Sequence, residues 1–195
     1  MVGCESLNIL DIMADVGLRQ CQAVLETFEC PLNLDVEHFA KQQAVDFARK
    51  RLAITYLVVA KDDLQSYLLG YYALTMKFVN VKLDILSKSL CKKISKFAQF
   101  NQDTQEYMLA MPLIAQLGKN YNPALPICIS GSKILELALD TVNRAEHLIG
   151  GKTVYIECAQ QPKLYDFYSQ AGFVEFGHRP SLTTQEELVQ MLKYL

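Results

Sequence analysis

Val154-Tyr-Ile-Glu-Cys-Ala159, followed after four residues by Leu164-Tyr-Asp-Phe-Tyr168-Ser-Gln-Ala-Gly172-Phe173, decides how this chain is read. The first run is β-branched and aromatic, as a strand is. The second is an amphipathic helix with Pro162 at its start. Gly172-Phe173 then turns the chain into a return strand. The arrangement puts Tyr168 near the helix end, four residues before the glycine. A phenol there can sit beside a gap in a sheet and give up a proton.

Upstream, Gly131 to Ile149 reads as a helix. Ile134, Leu135, Ala138, Leu139, Val142, Ala145 and Ile149 form one stripe, and Gly150-Gly151 ends it. Residues 118–130 form a loop with Gly118, Asn120, Asn122, Pro123 and Pro126. Glu106 to Leu117 reads as a long buried strand despite Pro112, which cannot donate to a ladder and predicts a bulge or splay. Residues 79–104 are a lysine-rich insert, with Lys82, Lys88, Lys92, Lys93 and Lys96 against Asp84 and Asp103. Leu83, Leu86, Leu90, Ile94 and Phe97 give it helical spacing.

Residues 53–60 and 67–76 read as two strands of an antiparallel hairpin, with a turn at 61–66. Helical patterning covers 16–29 and 34–51, the second capped by Asn33 or Asp35. Residues 186–195 suit a strand or a helix. If they form a strand, its edge could pair with a second copy. The order gives an α/β (α+β) domain with a mixed central sheet, taken as a single domain over 1–195.

At 195 residues and 51% hydrophobic, the chain can bury a good-sized core. Its net charge of −2 supplies no whole-chain attraction to nucleic acid or anionic lipid. No apolar run is long enough for a membrane span, and the N-terminus lacks a signal-peptide pattern. Six scattered cysteines without zinc-knuckle spacing read as reduced thiols, so a cytoplasmic location is expected. The three histidines are too dispersed to suggest a metal site.

Three features can carry chemistry. Ser130-Gly131-Ser132 opens a helix, where free amides and the helix dipole favour a phosphate, with Lys133 adding charge; the same residues also make a plain helix cap. Tyr168 is a core aromatic or a proton donor, with an ordinary pKa near 10. The lysine-rich insert is a solvated segment or a contact for an anionic partner. Glu157 and Glu106 are candidate bases that also suit ion pairing.

Together these parts resemble the GNAT superfamily of N-acetyltransferases over about residues 53–178. Phe167-Tyr168-Ser-Gln-Ala-Gly172-Phe173 matches its Phe-Tyr-x-x-x-Gly-Phe signature, and 154–159 is similar to its fifth strand. Gly70-Tyr71-Tyr72-Ala73-Leu74 resembles its third strand, and Gln116-Leu117-Gly118-Lys119-Asn120 the end of its fourth. The resemblance implies acetyl-CoA in a cleft between splayed fourth and fifth strands. Backbone groups of Leu117, Gly118 and Lys119 would hold the pantetheine arm and acetyl carbonyl. The amides of Ile129, Ser130, Gly131 and Ser132 would hold the pyrophosphate. Gln161 would touch the cofactor arm, and Tyr168 would be the general acid. The phosphate loop departs from the family pattern: Pro126 stands at the first position and Ile129 replaces the first glycine.

The function implied is transfer of an acetyl group to an amine. The acceptor could be a small molecule, a peptide N-terminus or an aminoacyl-tRNA, the last being the target of GNAT-type toxins. The lysine-rich insert suits a tRNA contact. A homodimer is common in the family. The altered loop supports an alternative, a non-catalytic binding protein on the same fold.

Overall fold

A computed structural model describes residues 3–61, 65–181 and 186–195. The chain divides into two compact units, Met1–Thr75 with Ile114–Thr141, and Met76–Leu113 with Val142–Leu195. Two long strands, β3 (Ser66–Lys82) and β5 (Glu106–Lys119), contribute to both.

In the first unit the strand order is β1 (Cys4–Asn8), β2 (Ile54–Lys61), β3, β5. The expected hairpin is the antiparallel β2–β3 pair, in which Tyr56 faces Tyr72 and their rings stack at 5.1 Å. The turn expected at 61–66 falls mainly on 62–64, outside the described residues. α1 (Ile9–Val16) and α2 (Leu18–Glu26) precede α3 (Leu34–His38), a π-helical turn at Phe39–Gln43, and α4 (Ala44–Arg49). The helix expected at 34–51 is therefore interrupted by a π-turn. Asn33 caps it, its Oδ1 accepting the amides of Asp35 and Val36 at 3.1 and 3.2 Å. The core of this unit packs Phe28, Val36, Phe39, Leu57, Leu68 and Tyr71 together. Tyr71 meets Phe28 edge-on at 5.0 Å, and its buried hydroxyl donates to the Val36 carbonyl at 2.6 Å.

In the second unit the order is β3, β5, β6 (Thr153–Ala159), β8 (Glu187–Tyr194), β7 (Val174–Pro180), with β4 (Gln99–Asn101) on β5. β3 runs to Lys82 because Val81 is fully buried, so the sheet absorbs the start of the lysine-rich segment. The remainder forms a 3-10 turn at Leu83–Ile85 and α5 (Lys88–Ile94), seated by the fully buried Ile94. β5 continues through Pro112. α6 (Gly131–Ile149) and α7 (Pro162–Gln170) match their expected spans.

The last segment is a strand, but not an exposed one. β8 pairs antiparallel with β6 on one side and β7 on the other. Both its ladders are filled, so it cannot offer an edge to a second copy. No described helix is long and apolar enough to cross a membrane.

Candidate functional site

Tyr168 is placed by the end of its own helix. Gly172 has φ 87°, a conformation that suits glycine. Its amide donates to the Ser169 carbonyl at 2.9 Å, and the Phe173 amide reaches back to the Tyr168 carbonyl at 3.1 Å. These two bonds make a Schellman motif, with Gly172 in the left-handed position. The accompanying apolar contact is Tyr168 against Phe173, ring centroids 5.8 Å apart. The Tyr-x-x-x-Gly-Phe spacing thus has a local physical cause. Lys193 on β8 donates to the Ala171 carbonyl at 2.6 Å and closes the same helix end.

The Tyr168 ring is buried and also meets Phe167 edge-on at 4.9 Å. Burial, aided by nearby Cys158, pushes its phenol well above the usual tyrosine range. The hydroxyl makes no protein hydrogen bond among the described residues. A neutral phenol with a buried ring and a free O–H is a proton donor awaiting an acceptor.

In the first unit, α6 begins at Gly131. The Ser130 hydroxyl accepts the Lys133 amide at 3.1 Å, and its carbonyl accepts the Ile134 amide at 3.2 Å. Ser130 is therefore a helix cap. The amides of Gly131 and Ser132 donate to no protein acceptor among the described residues, so two donors remain for an anion. Ile129 is buried and anchors the loop through its side chain. Lys133 does not face this end freely, because its Nζ bonds Glu136 at 2.6 Å.

At the end of β5, Gly118 is required by packing. A Cβ there would lie 2.5 Å from Val36 Cγ1 and 2.9 Å from Phe28 Cζ. A Cβ on Gly70 would lie 2.6 Å from the Gly118 carbonyl oxygen and 2.6 Å from Ile134 Cδ1. The Gly118 carbonyl thus faces β3, as does the Asn120 amide, which donates to Leu69 at 2.9 Å. Backbone groups of successive strand residues point to opposite edges. Leu117 and Lys119 therefore present theirs to the other edge of β5. Gln161 is exposed at the N-terminus of α7, without a side-chain cap bond.

No protein-family model and no curated protein matches the sequence. Solved structures do match. One is AtaT complexed with acetyl-methionyl-tRNAfMet, with a TM-score of 0.64 at 18% identity, over 97% of this chain and 94% of that one. A tyrosine-to-phenylalanine mutant of KacT gives 0.63 at 17% identity, over 97% and 94%. AtaTR bound with AcCoA gives 0.59 at 18% identity, over 97% and 92%. The chain shares the fold of these structures, the GNAT fold.

On this GNAT fold, Glu157 is not a free base. Arg179 donates Nε and Nη2 to its two oxygens at 2.7 and 2.5 Å, and Gln190 adds a bond at 2.9 Å. Burial alone would raise its pKa, but the bonds from Arg179 and Gln190 outweigh it and hold the carboxyl below its usual value. It ties β6, β7 and β8 together. A residue that sequence reasoning passes over is Asn120, 3% exposed. Its Oδ1 accepts the amides of Glu29 and Asn122 at 2.9 and 3.0 Å, and its Nδ2 donates to Leu68 at 2.8 Å and Thr27 at 3.3 Å. It fixes the strand end that carries Leu117 and Lys119. An asparagine directly after Leu-Gly-Lys at a strand end is the only signal for it.

Proposed function

We propose that this chain is an acetyl-CoA-dependent N-acetyltransferase whose acceptor is the α-amine of an aminoacyl-tRNA. The observation that carries the reading is Tyr168: a neutral phenol with a free O–H, held at the end of a Schellman-capped helix. The fold supports the reaction class. The AtaT neighbours support the acceptor, since one is complexed with acetyl-methionyl-tRNAfMet and another is bound with AcCoA. Structures of both AtaT and KacT among the neighbours are tyrosine-to-phenylalanine mutants.

In this reading the neutral amine attacks the thioester carbonyl carbon. The C–N bond forms, the C–S bond breaks, and Tyr168 passes its proton to the departing sulfur, giving free CoA. Solvent returns a proton to the phenolate and accepts the one lost by the amine. Glu157 takes no proton, because both its oxygens are already engaged. The Gly131 and Ser132 amides hold the CoA pyrophosphate, Leu117 and Lys119 the pantetheine arm and acetyl carbonyl.

Incubation with acetyl-CoA and charged tRNA, followed by mass spectrometry of the released amino acid, tests the proposal. Acetylated product is expected. Tyr168→Phe should lower turnover by about 10²–10⁴-fold and keep the thermal shift produced by acetyl-CoA. Turnover on small amines but not on charged tRNA would retain the enzyme and replace the acceptor. No shift with acetyl-CoA or CoA would overturn the acyltransferase and leave a binding protein.

A further inference from the structure

The second unit holds a cleft of about 650 Å³ that none of the acyl-transfer residues lines. Lys93, Lys96 and Phe97 border it from α5 and the turn that follows, Glu146 from the end of α6, Lys152 from the approach to β6, and Tyr194 from the end of β8. Three properties of this lining bear on what it can bind. The lysines supply positive charge, and the Lys93 ammonium already lies 4.5 Å from the centroid of the Tyr194 ring. Phe97 is 43% exposed and makes no ring contact among the described residues. Glu146 is only 9% exposed; its Oε1 accepts the Thr153 amide at 3.0 Å, while its Oε2 has no protein hydrogen-bond partner among the described residues and is not sealed from solvent.

A ligand satisfying all three needs an anionic group for the lysines, a flat π-system for Phe97 and an N–H donor for Glu146. A bare phosphate has only the first. A simple amine has only the last and is repelled by three lysines. A nucleotide with an exocyclic amino group has all three, and the volume suits one small ligand. The base must be unpaired to expose its face and its amino edge. We propose that this cleft holds one unpaired nucleotide of a single-stranded nucleic acid, with its phosphates on Lys93, Lys96 and Lys152, its base on Phe97 and its amino group on Glu146.

The inference deepens the reading of a nucleic-acid-borne acceptor, yet it rests on the cleft alone and can be tested without acetyl-CoA. Fluorescence anisotropy of labelled six-nucleotide oligo(C) and oligo(U) on the full chain, across a salt series, measures it. Oligo(C) should bind several-fold more tightly than oligo(U), because uracil places a carbonyl oxygen where cytosine has its amino group. Lys93→Glu combined with Lys96→Glu should weaken oligo(C) by at least tenfold and reduce the salt slope by about 1.4, or about 0.7 for each phosphate no longer neutralised. Phe97→Ala should weaken both oligonucleotides about tenfold. Glu146→Gln should narrow the difference between C and U. Arg49→Glu combined with Lys50→Glu, an equal charge change in the first unit, should change nothing. Unaltered binding by a well-folded lysine double variant would overturn the proposal. So would equal competition by inorganic polyphosphate, which would leave only a charged patch. If charged tRNA is acetylated while this cleft fails its tests, the enzyme reading stands and the cleft falls; binding without acetylation gives the reverse.

Discussion

Every polar atom of the Asn120 side chain is engaged inside the first unit. Replacing it with alanine strands the Glu29 amide and the Leu68 carbonyl, each at about 1–3 kcal/mol when left unpaired. Asn120→Ala should therefore lose about 2–4 kcal/mol in urea unfolding, and Asn120→Asp should also destabilise, because it keeps the acceptor but sets a buried carboxylate oxygen against the Leu68 carbonyl. A loss within error of zero would mean water replaces the amide without strain. Tyr168 offers a pH prediction at the same scale. Its phenol is raised by burial, so the neutral donor persists below the ordinary value and is lost only as pH rises past the elevated one. The kcat/KM profile should show no basic limb from Tyr168 below about pH 10; a limb near pH 8 that vanishes in Tyr168→Phe would contradict it. These two residues also mark what the sequence reveals. Tyr168 is legible because its partners, Gly172 and Phe173, are four and five positions away. Asn120 is not, because its partners Glu29 and Leu68 lie 91 and 52 positions away.

At the scale of elements, α7 shows how a local motif sets a reactive group. Gly172→Ala puts a Cβ on a left-handed residue, costing about 1–2 kcal/mol. The strain is relieved most easily by unwinding the last turn, which carries Tyr168. The variant should therefore lose stability by that amount and also lose turnover, with acetyl-CoA affinity largely retained. Equal stability loss with unchanged turnover would show that the cap does not position the phenol. Helices α6 and α7 are readable to the residue because glycine, proline and apolar stripes punctuate them. The lysine-rich segment misleads at its start because Val81 lies between the polar Asn80 and Lys82, a pattern that a loop and a strand edge share. The π-turn at Phe39–Gln43 leaves the helical stripe of α3 and α4 nearly in phase and has no sequence signal of its own. β1 is hidden because Cys-Glu-Ser-Leu-Asn lacks the β-branched character that marks β2 and β3; its pairing with β2 supplies the order.

Across the whole chain, the last strand carries more than its position suggests. Its apolar alternation, with Leu188, Leu192 and Tyr194 on one side and Val189 and Met191 on the other, fits a strand used on both faces. Local pattern alone cannot say that it inserts between β6 and β7, since that depends on pairing partners far away in sequence. Three ties follow from the insertion. The ladder runs from Thr153 opposite Tyr194 to Ala159 opposite Leu188 on one side, and from Val174 opposite Leu192 to Pro180 opposite Glu187 on the other. Gln190 joins the Glu157–Arg179 pair, and Lys193 closes the helix end behind Tyr168. A chain ending before Glu187 should leave β6 and β7 without a common partner and bare the inward faces of Tyr155 and Phe176, which meet edge-on at 6.1 Å. The predicted result is loss of hydrogen-exchange protection throughout 153–159 and 174–180, while the amides of β2 in the first unit keep theirs. Retained protection in β6 would mean that β8 is an accessory strand, and Lys193→Ala would then be expected to leave Tyr168 where it is. If protection falls as argued, Lys193→Ala alone should leave the β6 amides protected and free only those at the end of α7, because it removes one bond to Ala171 and none of the ladder.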